Sequence, residues 1–563
     1  MKTRQITSFD AIVIGSGISG GWAAKELTEK GLKTLILERG RSLEHIKDYP
    51  TTNSAPWEFK YRGEVLPEIK KDYPVQSTNY SFNDATKHFF VKDTENPYVN
   101  PENKEFRWIR GYHTGGRSLM WARQCYRWSD LDFEANAKEG IEIDWPIRYK
   151  DIAPWYDYVE KFAGISGQAE GLPQLPDGQF LPPMEMNCVE KYVKEKIQET
   201  WPDRTMTIGR VAHLTVPHNG RGKCMYRNLC YRGCPFGAYF SSQSATLPAA
   251  TATGNMTLRP NSIVHSILYD EQKDKATGVR VIDGETLETL EFTARIIFLC
   301  ASTLGSTQIL LNSTSNCFPE GLANSSGVLG HYLMDHHTDV DSKARFDGFE
   351  NEYYNGHRPN GIYVPRFRNV KTKHPDFLRG YGMQGSGSRE GWSRGNDIDD
   401  LGADFKKAIT EPGPWTMSFG GFGECLPYYD NKVELNPDLK DKWGLPTLRI
   451  SCEFKENELA MRKDMAITSA ELLEAAGGKD IETTNEKAIP GFAIHEMGTA
   501  RMGNDPKTSV LNKWNQCHDV PNLFVTDGSC MTSSACQNPS ITYMALTARA
   551  CDYAVKELNR RNL

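Results

Sequence analysis

The sequence holds no uninterrupted apolar run long enough to cross a bilayer, so no membrane-spanning helix is expected. It holds no basic block either. Its 66 Lys and Arg against 72 Asp and Glu leave a net charge of −6, which argues against a nucleic-acid partner. The opening stretch MKTRQITSFDAIVIGSG lacks an apolar core, a small-residue cleavage site and a twin arginine, so no export signal is read and a cytoplasmic location is expected. Cysteine is sparse. Thirteen residues, an odd number and mostly scattered, exclude a fully paired disulfide framework and are expected mainly as small core residues. No internal repeat, low-complexity tract or Pro/Gly-rich linker interrupts the chain. What remains is a globular composition, 39% hydrophobic and 25% charged, over 563 residues, which calls for two or more domains.

The first strong pattern is at the N-terminus. FDAIVI (9–14) is an apolar run of strand length, GSGISGG (15–21) is a glycine turn, WAAKELTEKG is helical, and KTLILERG is a second strand ending at Glu38. In such a unit Gly15 makes the tight turn, Gly17 admits a pyrophosphate and Gly20 lets helix and strand pack closely. Ser16, Ile18 and Ser19 complete the loop, at a helix N-terminus whose free N–H groups suit phosphate. Glu38, 23 residues after Gly15, is placed to accept from ribose hydroxyls, with Arg39 beside it. The pattern indicates a dinucleotide without separating FAD from NAD.

Near the C-terminus, HEMGTARMG (495–503) precedes NLFVTDGS, a short strand ending at Asp527 and Gly528. NPSITYMALTARACDYAV follows as a helix, with Pro539 in its first turn and Ser540 next to it. A histidine titrates near neutrality and can take a hydroxyl proton, whereas an amide such as Asn538 can orient the same oxygen but not act as a second base. Taken singly, His495 reads as a buried core histidine and Asn538 as an N-cap.

The glycine fingerprint ending in ERG, GGRSLMW (115–121), CASTLGSTQILLNS (300–313), HEMGTARMG and the DGS…NPS tail together resemble the glucose–methanol–choline (GMC) oxidoreductases, in that family's order and over nearly the whole chain. The resemblance implies an α/β fold, α+β overall. It would be a Rossmann-like FAD-binding domain (1–50, 105–135, 205–330, 487–563) interleaved with a substrate-binding domain on a mostly antiparallel sheet (51–104, 136–204, 331–486). It further implies His495 as catalytic base with Asn538 as its partner. Asp527 is matched to the ribityl chain, Gly115, Gly116 and Ser118 to the loop against the flavin, and Val264 to the adenine. Ala301, Ser302, Gly528, Pro539 and Ser540 complete the cofactor set. Met120 stands where some members carry a flavin-linking histidine, and His113 lies upstream of the glycines, so the FAD is expected to be non-covalent.

KCMYRNLCYRGCPFGAYF gathers Cys224, Cys230 and Cys234 within eleven residues, spaced C-x5-C-x3-C-P. That is not zinc spacing, though bacterial iron–sulfur runs also end in C-x3-C-P. Plain loop thiols, one disulfide among them, are the alternative. The segment resembles one in membrane-linked bacterial sugar dehydrogenases of the same family, where it holds a [3Fe-4S] cluster; Arg227 and Arg232 would offset thiolate charge. Long stretches resemble bacterial glucoside 3-dehydrogenases most. That implies oxidation of the C3 hydroxyl of glucose, glucosides or disaccharides, hydride passing to flavin N5, and electrons leaving to a carrier such as cytochrome c. A small helper subunit bearing an export signal is implied too, which leaves a periplasmic location open. A gluconate or polyol dehydrogenase, a peroxide-forming oxidase and a non-catalytic flavoprotein are the competing readings. The stretch 330–485, rich in Gly, Asn, Tyr and Trp, is expected to meet the sugar, with no single residue standing out. Asp335, His336 and His337 in LMDHHTD are expected to play a structural or supporting role rather than bind metal.

Overall fold

The computed structural model describes residues 4–563. Its larger sheet contains β1 (Arg4–Ile14), β2 (Thr34–Leu37), β3 (Met256–Arg259), β4 (Ser262–Asp270), β5 (Lys275–Asp283), β6 (Thr289–Leu299) and β7 (Leu523–Val525), in the order β3-β2-β1-β6-β5-β4, with β7 also on β6. The β3-β2-β1-β6 ladder and the β6–β7 pair are parallel, while β4 and β5 join antiparallel. Ala11, Ile12, Val13 and Ile14 of β1 are all buried, as expected for a strand covered on both faces, and they read in sequence as a continuous apolar run.

Three strands of this sheet feed helices at the same edge. β1 leads to α1 (Ile18–Glu29), β6 to α2 (Thr303–Asn312) and β7, through a longer loop, to α3 (Ser540–Asn559). α1 presses on the sheet through small residues. A Cβ on Gly20 would stand 1.9 Å from the Gly15 carbonyl oxygen, so only glycine allows this approach.

The second sheet has six strands, ordered 479–485, 340–346, 415–423, 381–389, 362–364 and 207–208, every pair antiparallel. Helices Cys188–Thr200 and Glu456–Ala475 cover it, burying Val189, Val193, Ile197, Met461, Met465 and Leu472 against Met417 and Phe419. The two-part α/β architecture expected from the sequence is therefore present. Helix Tyr149–Ala163 packs into the core of the first sheet, while Thr207–Ile208 pairs with Ile362 and Tyr363 of the second. Among the described residues no helix is long and apolar enough to cross a membrane.

Candidate active site

A cavity of about 680 Å³ runs along the edge where the three helices begin. None of the three N-termini has a side-chain cap: the N-cap residues are Gly17, Ser302 and Pro539. Their free N–H groups and positive dipole ends converge on one space, an arrangement suited to phosphate and to a ring that gathers negative charge. Ser302 adopts φ +67°, a left-handed conformation uncommon for a residue with a Cβ.

One end of the cavity is walled by Glu38, Arg39, Ser262 and Val264. The Glu38 carboxylate accepts from the backbone N–H of Ser16 (3.1 Å) and of Gly40 (2.8 Å), and from the Ser16 hydroxyl. Burial nevertheless pushes its pKa up, and those donors only partly pull it back. Ser16 Oγ in turn accepts from Gly115 N at 2.9 Å, which ties the 115–121 loop to the fingerprint. Along the middle lie Gly15, Ser16, Gly17, Ile18, Ser19, Gly116, Ser118, Ala301, Ser302, Asp527 and Gly528. Asp527 is held by the Ser306 and Ser529 hydroxyls and by Ser529 N (3.0 Å). Gly20 and Gly115 do not line the space. Gly20 packs behind it, and a Cβ on Gly115 would strike Gln243.

These residues fit an elongated dinucleotide. A Cβ on Gly17 would meet nothing within 4 Å and would project into open space, as close approach of a pyrophosphate requires. The Tyr543 hydroxyl, on the first turn of α3 and lining the cavity, is buried with no hydrogen-bond partner. Met120 lines the cavity, whereas His113 is buried against Phe89 and does not.

At the other end stand His495 and Asn538, with Pro539 and Ser540 beside them. Asn538 Nδ2 lies 3.3 Å from His495 Nε2, and Asn538 Oδ1 accepts from Gln384 Nε2 at 2.8 Å. Asn538 is thus not the N-cap of α3, a position held by Pro539; its carboxamide faces the histidine instead. His495 Nδ1 meets His336 Nδ1 at 2.8 Å. Burial, then His336 and Arg117, hold the His495 pKa well below the ordinary value, so the ring is neutral and able to take a proton. Asp335 accepts from the backbone N–H of Gly491 (2.7 Å), Ala493 (3.3 Å) and His495 (2.9 Å), fixing the loop that carries His495. Ile494, a β-branched residue at φ +64°, sits in that loop.

From the stretch 330–485 the fold selects Asp339, Asp341, Asn360, Gln384 and Phe422 as walls of this end, joined by Trp121 and Gln124. Amides and carboxylates beside aromatic faces are groups a polyhydroxylated ligand can use. Sequence reasoning did not single these out, nor the His336 contact. Of LMDHHTD, only the supporting role expected for Asp335 and His336 has a visible partner; His337 is buried with neither ring nitrogen bonded.

Cys224, Cys230 and Cys234 are all free thiols, so no disulfide joins them. They lie within electrostatic reach of one another: burial first, then the thiols of Cys230 and Cys234, push the Cys224 pKa up to about 11. The Cys230 sulfur lies 3.6 Å from His213 Nε2. Tyr231, next in the chain, and Arg123, whose guanidinium is 4.7 Å from the Tyr231 ring, both line the cavity. Arg227 and Arg232 donate to the carbonyls of Thr52 and Ser54 (the latter 2.9 Å), and of the two Arg227 still pulls the Cys230 pKa down, as expected of a group that offsets thiolate charge. Burial pushes the Cys230 pKa up, and Arg123 opposes it more strongly than Arg227 does. Among the described residues no three His, Cys, Asp or Glu side chains are gathered closely enough to hold a metal ion. Cys224, Cys230 and Cys234 are therefore not assembled as a metal site among the described residues, and the cluster expected there gains no support from the fold.

Comparison with known proteins identifies both parts of the chain. Residues 9–338 match the N-terminal GMC oxidoreductase model and 427–547 the C-terminal one. A 2-methyl-1,2-propanediol dehydrogenase of Mycolicibacterium austroafricanum is 32% identical, over 98% of this chain and 96% of the relative. The fructose dehydrogenase large subunit of Gluconobacter japonicus is 25% identical over 99% and 100%. The gluconate 2-dehydrogenase flavoprotein of Pantoea cypripedii is 24% identical over 97% and 93%. Among solved structures, formate oxidase of Aspergillus oryzae shares the fold with a TM-score of 0.62 at 13% identity, over 98% of this chain and 99% of that one.

Proposed function

This chain belongs to the GMC oxidoreductase family, and from that premise we propose that it is a dehydrogenase oxidising a secondary hydroxyl, at C3, of glucose, a glucoside or a disaccharide to a keto sugar. The family is one of FAD-dependent oxidoreductases acting on alcohol and sugar hydroxyls. The observation that carries the reading is the pairing of His495 Nε2 with Asn538 Nδ2 at one end of a cavity whose other end suits a dinucleotide.

FAD bound non-covalently along Gly17, Glu38, Val264, Ser302 and Asp527 would supply the acceptor, at N5, for the hydride that leaves the carbinol carbon. The chain's own contribution is proton handling and placement. The substrate hydroxyl, set between His495 and Asn538, loses its proton to His495 Nε2 as the C–H bond breaks, leaving a carbonyl. The Asn538 N–H donates to the same oxygen and fixes the carbinol in reach of the base. His495 alone acts as base, since an amide takes up no proton near neutrality. Asp339, Asp341 and Asn360 are proposed to hold the other hydroxyls, with Phe422 and Trp121 against the sugar's apolar face.

A second component concerns where electrons leave. The likeness of the Cys224–Cys234 segment to that of sugar dehydrogenases supports reading Cys224, Cys230 and Cys234, all free thiols, as ligands of a three-iron cluster, although the fold does not gather them closely enough to hold an ion. Such a group would supply one-electron transfer towards a carrier such as cytochrome c. A small helper subunit and periplasmic co-export belong to the same proposal, and rest on likeness to sugar dehydrogenases rather than on a contact seen here.

The test is incubation of purified enzyme with glucose, lactose and gluconate plus an artificial acceptor, with product identification and peroxide assay. A 3-keto product and no peroxide are expected. A ketone at C2 or C5 overturns the regiochemistry, activity on gluconate alone overturns the substrate class, and stoichiometric peroxide makes the protein an oxidase. Iron and acid-labile sulfide in the same preparation test the thiol set; their absence removes the cluster. His495→Ala is expected to abolish substrate-driven flavin reduction.

A further inference from the structure

His336 lies behind the catalytic pair, outside the cavity and 1% exposed, with its ring edge-on to His495 (centroids 4.9 Å apart, planes at 80°). We propose that His336 is a positioning residue that holds His495 in the tautomer with hydrogen on Nδ1, leaving a bare Nε2 towards the substrate. The inference rests on His495 being the base of the proposed dehydrogenase.

The argument starts from a carbonyl, which only accepts. The Ala535 carbonyl oxygen is bonded to His336 Nε2, so that nitrogen carries the hydrogen. Burial, opposed only by the Ala535 carbonyl, pushes the His336 pKa down to about 4, and a neutral ring then has an unprotonated Nδ1. That lone pair faces His495 Nδ1 at 2.8 Å, so His495 must donate there, and its Nε2 is left without hydrogen. A separate constraint arrives from the other side of the ring. Gln384 Nε2 donates to Asn538 Oδ1, which fixes the carboxamide with Nδ2 towards His495 Nε2. An N–H aimed at Nε2 requires an acceptor there. The two chains of bonds start from different elements and agree on one tautomer. Without His336, Nδ1 of His495 loses its acceptor and the ring is free to place its hydrogen on Nε2, where it cannot act as base.

Two polar substitutions separate position from polarity. The Oδ1 of H336N overlays the lost Nδ1 and can still accept from His495, while giving up Ala535. H336Q overlays the lost Nε2 and keeps Ala535 while giving up His495. H336L removes both. With flavin content and melting midpoint recorded for each holoenzyme, stopped-flow flavin reduction by the preferred sugar is expected to fall about a hundredfold in H336Q and H336L and to stay within about tenfold of wild type in H336N, with KM little changed. Equal rates in H336N and H336Q, or a wild-type rate in H336L, overturn the inference. If H336L does not load flavin, the Asn/Gln pair decides. His495→Ala, run alongside, separates the two levels: a wild-type rate there removes the base itself, whereas an inactive H495A with an unaffected H336Q removes only the role of His336.

Discussion

Arg117, in the glycine loop, clasps Glu496, the residue after His495, through two parallel bonds of 2.9 and 2.8 Å. The Glu496 side chain is 1% exposed and that of Arg117 26%. The pair joins the 115–121 loop to the segment that carries His495 through one guanidinium–carboxylate fork.

Removing one member leaves the other charge uncompensated beside the cavity. Breaking a buried pair costs about 3–5 kcal/mol, and the partial exposure of Arg117 puts this one at or below the low end. Glu496→Gln is therefore expected to lower the melting midpoint and weaken flavin retention, both read by thermal scanning with flavin fluorescence. An unchanged midpoint would show that the fork carries no net stability.

Gly17 and Gly20 are three residues apart and should fail differently. A side chain on Gly17 enters empty cavity, while one on Gly20 strikes the Gly15 carbonyl. Gly17→Val is expected to fold normally and lose FAD; Gly20→Ala is expected to destabilise the apoprotein by about 1–3 kcal/mol. Far-UV circular dichroism with flavin absorbance separates the two. A flavin-replete G17V removes the pyrophosphate from that turn.

Asp335 gives a pH dependence with a definite sign. Burial, then the charge of Glu496, push its pKa from 3.8 up to about 8. A carboxyl that binds its proton more tightly folded than unfolded contributes stability that is complete below about pH 4 and is lost as pH rises through 8. Glu424, pushed up to about 8 by burial against the pull of Arg379 and Arg366, adds a slope of the same sign. The melting midpoint is expected to fall between pH 6 and 9. Asp335→Asn should be less stable, because its amide cannot accept all three backbone N–H groups, yet fall less steeply. An equal slope in wild type and variant removes Asp335 as the source.

The parts of the site legible in sequence are those whose chemistry is local. The strand, glycine turn and helix around Gly15–Gly20 announce themselves because turn geometry and apolar periodicity act over a few residues. His495 and Asn538 were legible only through the motifs around them. The groups that orient them were not: Arg117 and Glu496 are 379 residues apart, His336 and His495 159, Gln384 and Asn538 154. No local pattern encodes such pairings, since each exists only once the fold brings distant segments together; for Gln384, on strand 381–389, that means the antiparallel sheet meeting the start of α3. The thiol loop shows the converse. Its spacing left iron–sulfur ligands and plain loop thiols both open, while the packing that brings the Arg123 charge to bear on Cys230 beside that of Arg227 is tertiary.

Gln384 is expected to act on the reaction through Asn538. Its amide holds Asn538 Oδ1, and without it the carboxamide can turn its oxygen towards His495 Nε2, setting acceptor against lone pair. Losing one such bond is worth about 1.4 kcal/mol, so Gln384→Ala should reduce kcat/KM about tenfold. Asn538→Ala, which removes the group that orients the hydroxyl, should cost about a hundredfold. If Gln384 works only through its neighbour, adding Q384A to N538A costs nothing further, and the coupling in the double-mutant cycle equals the whole single effect. Additive losses would mean that Gln384 touches the sugar directly, which its place on the cavity wall allows, and would recast it as a specificity residue whose loss raises KM rather than lowering kcat.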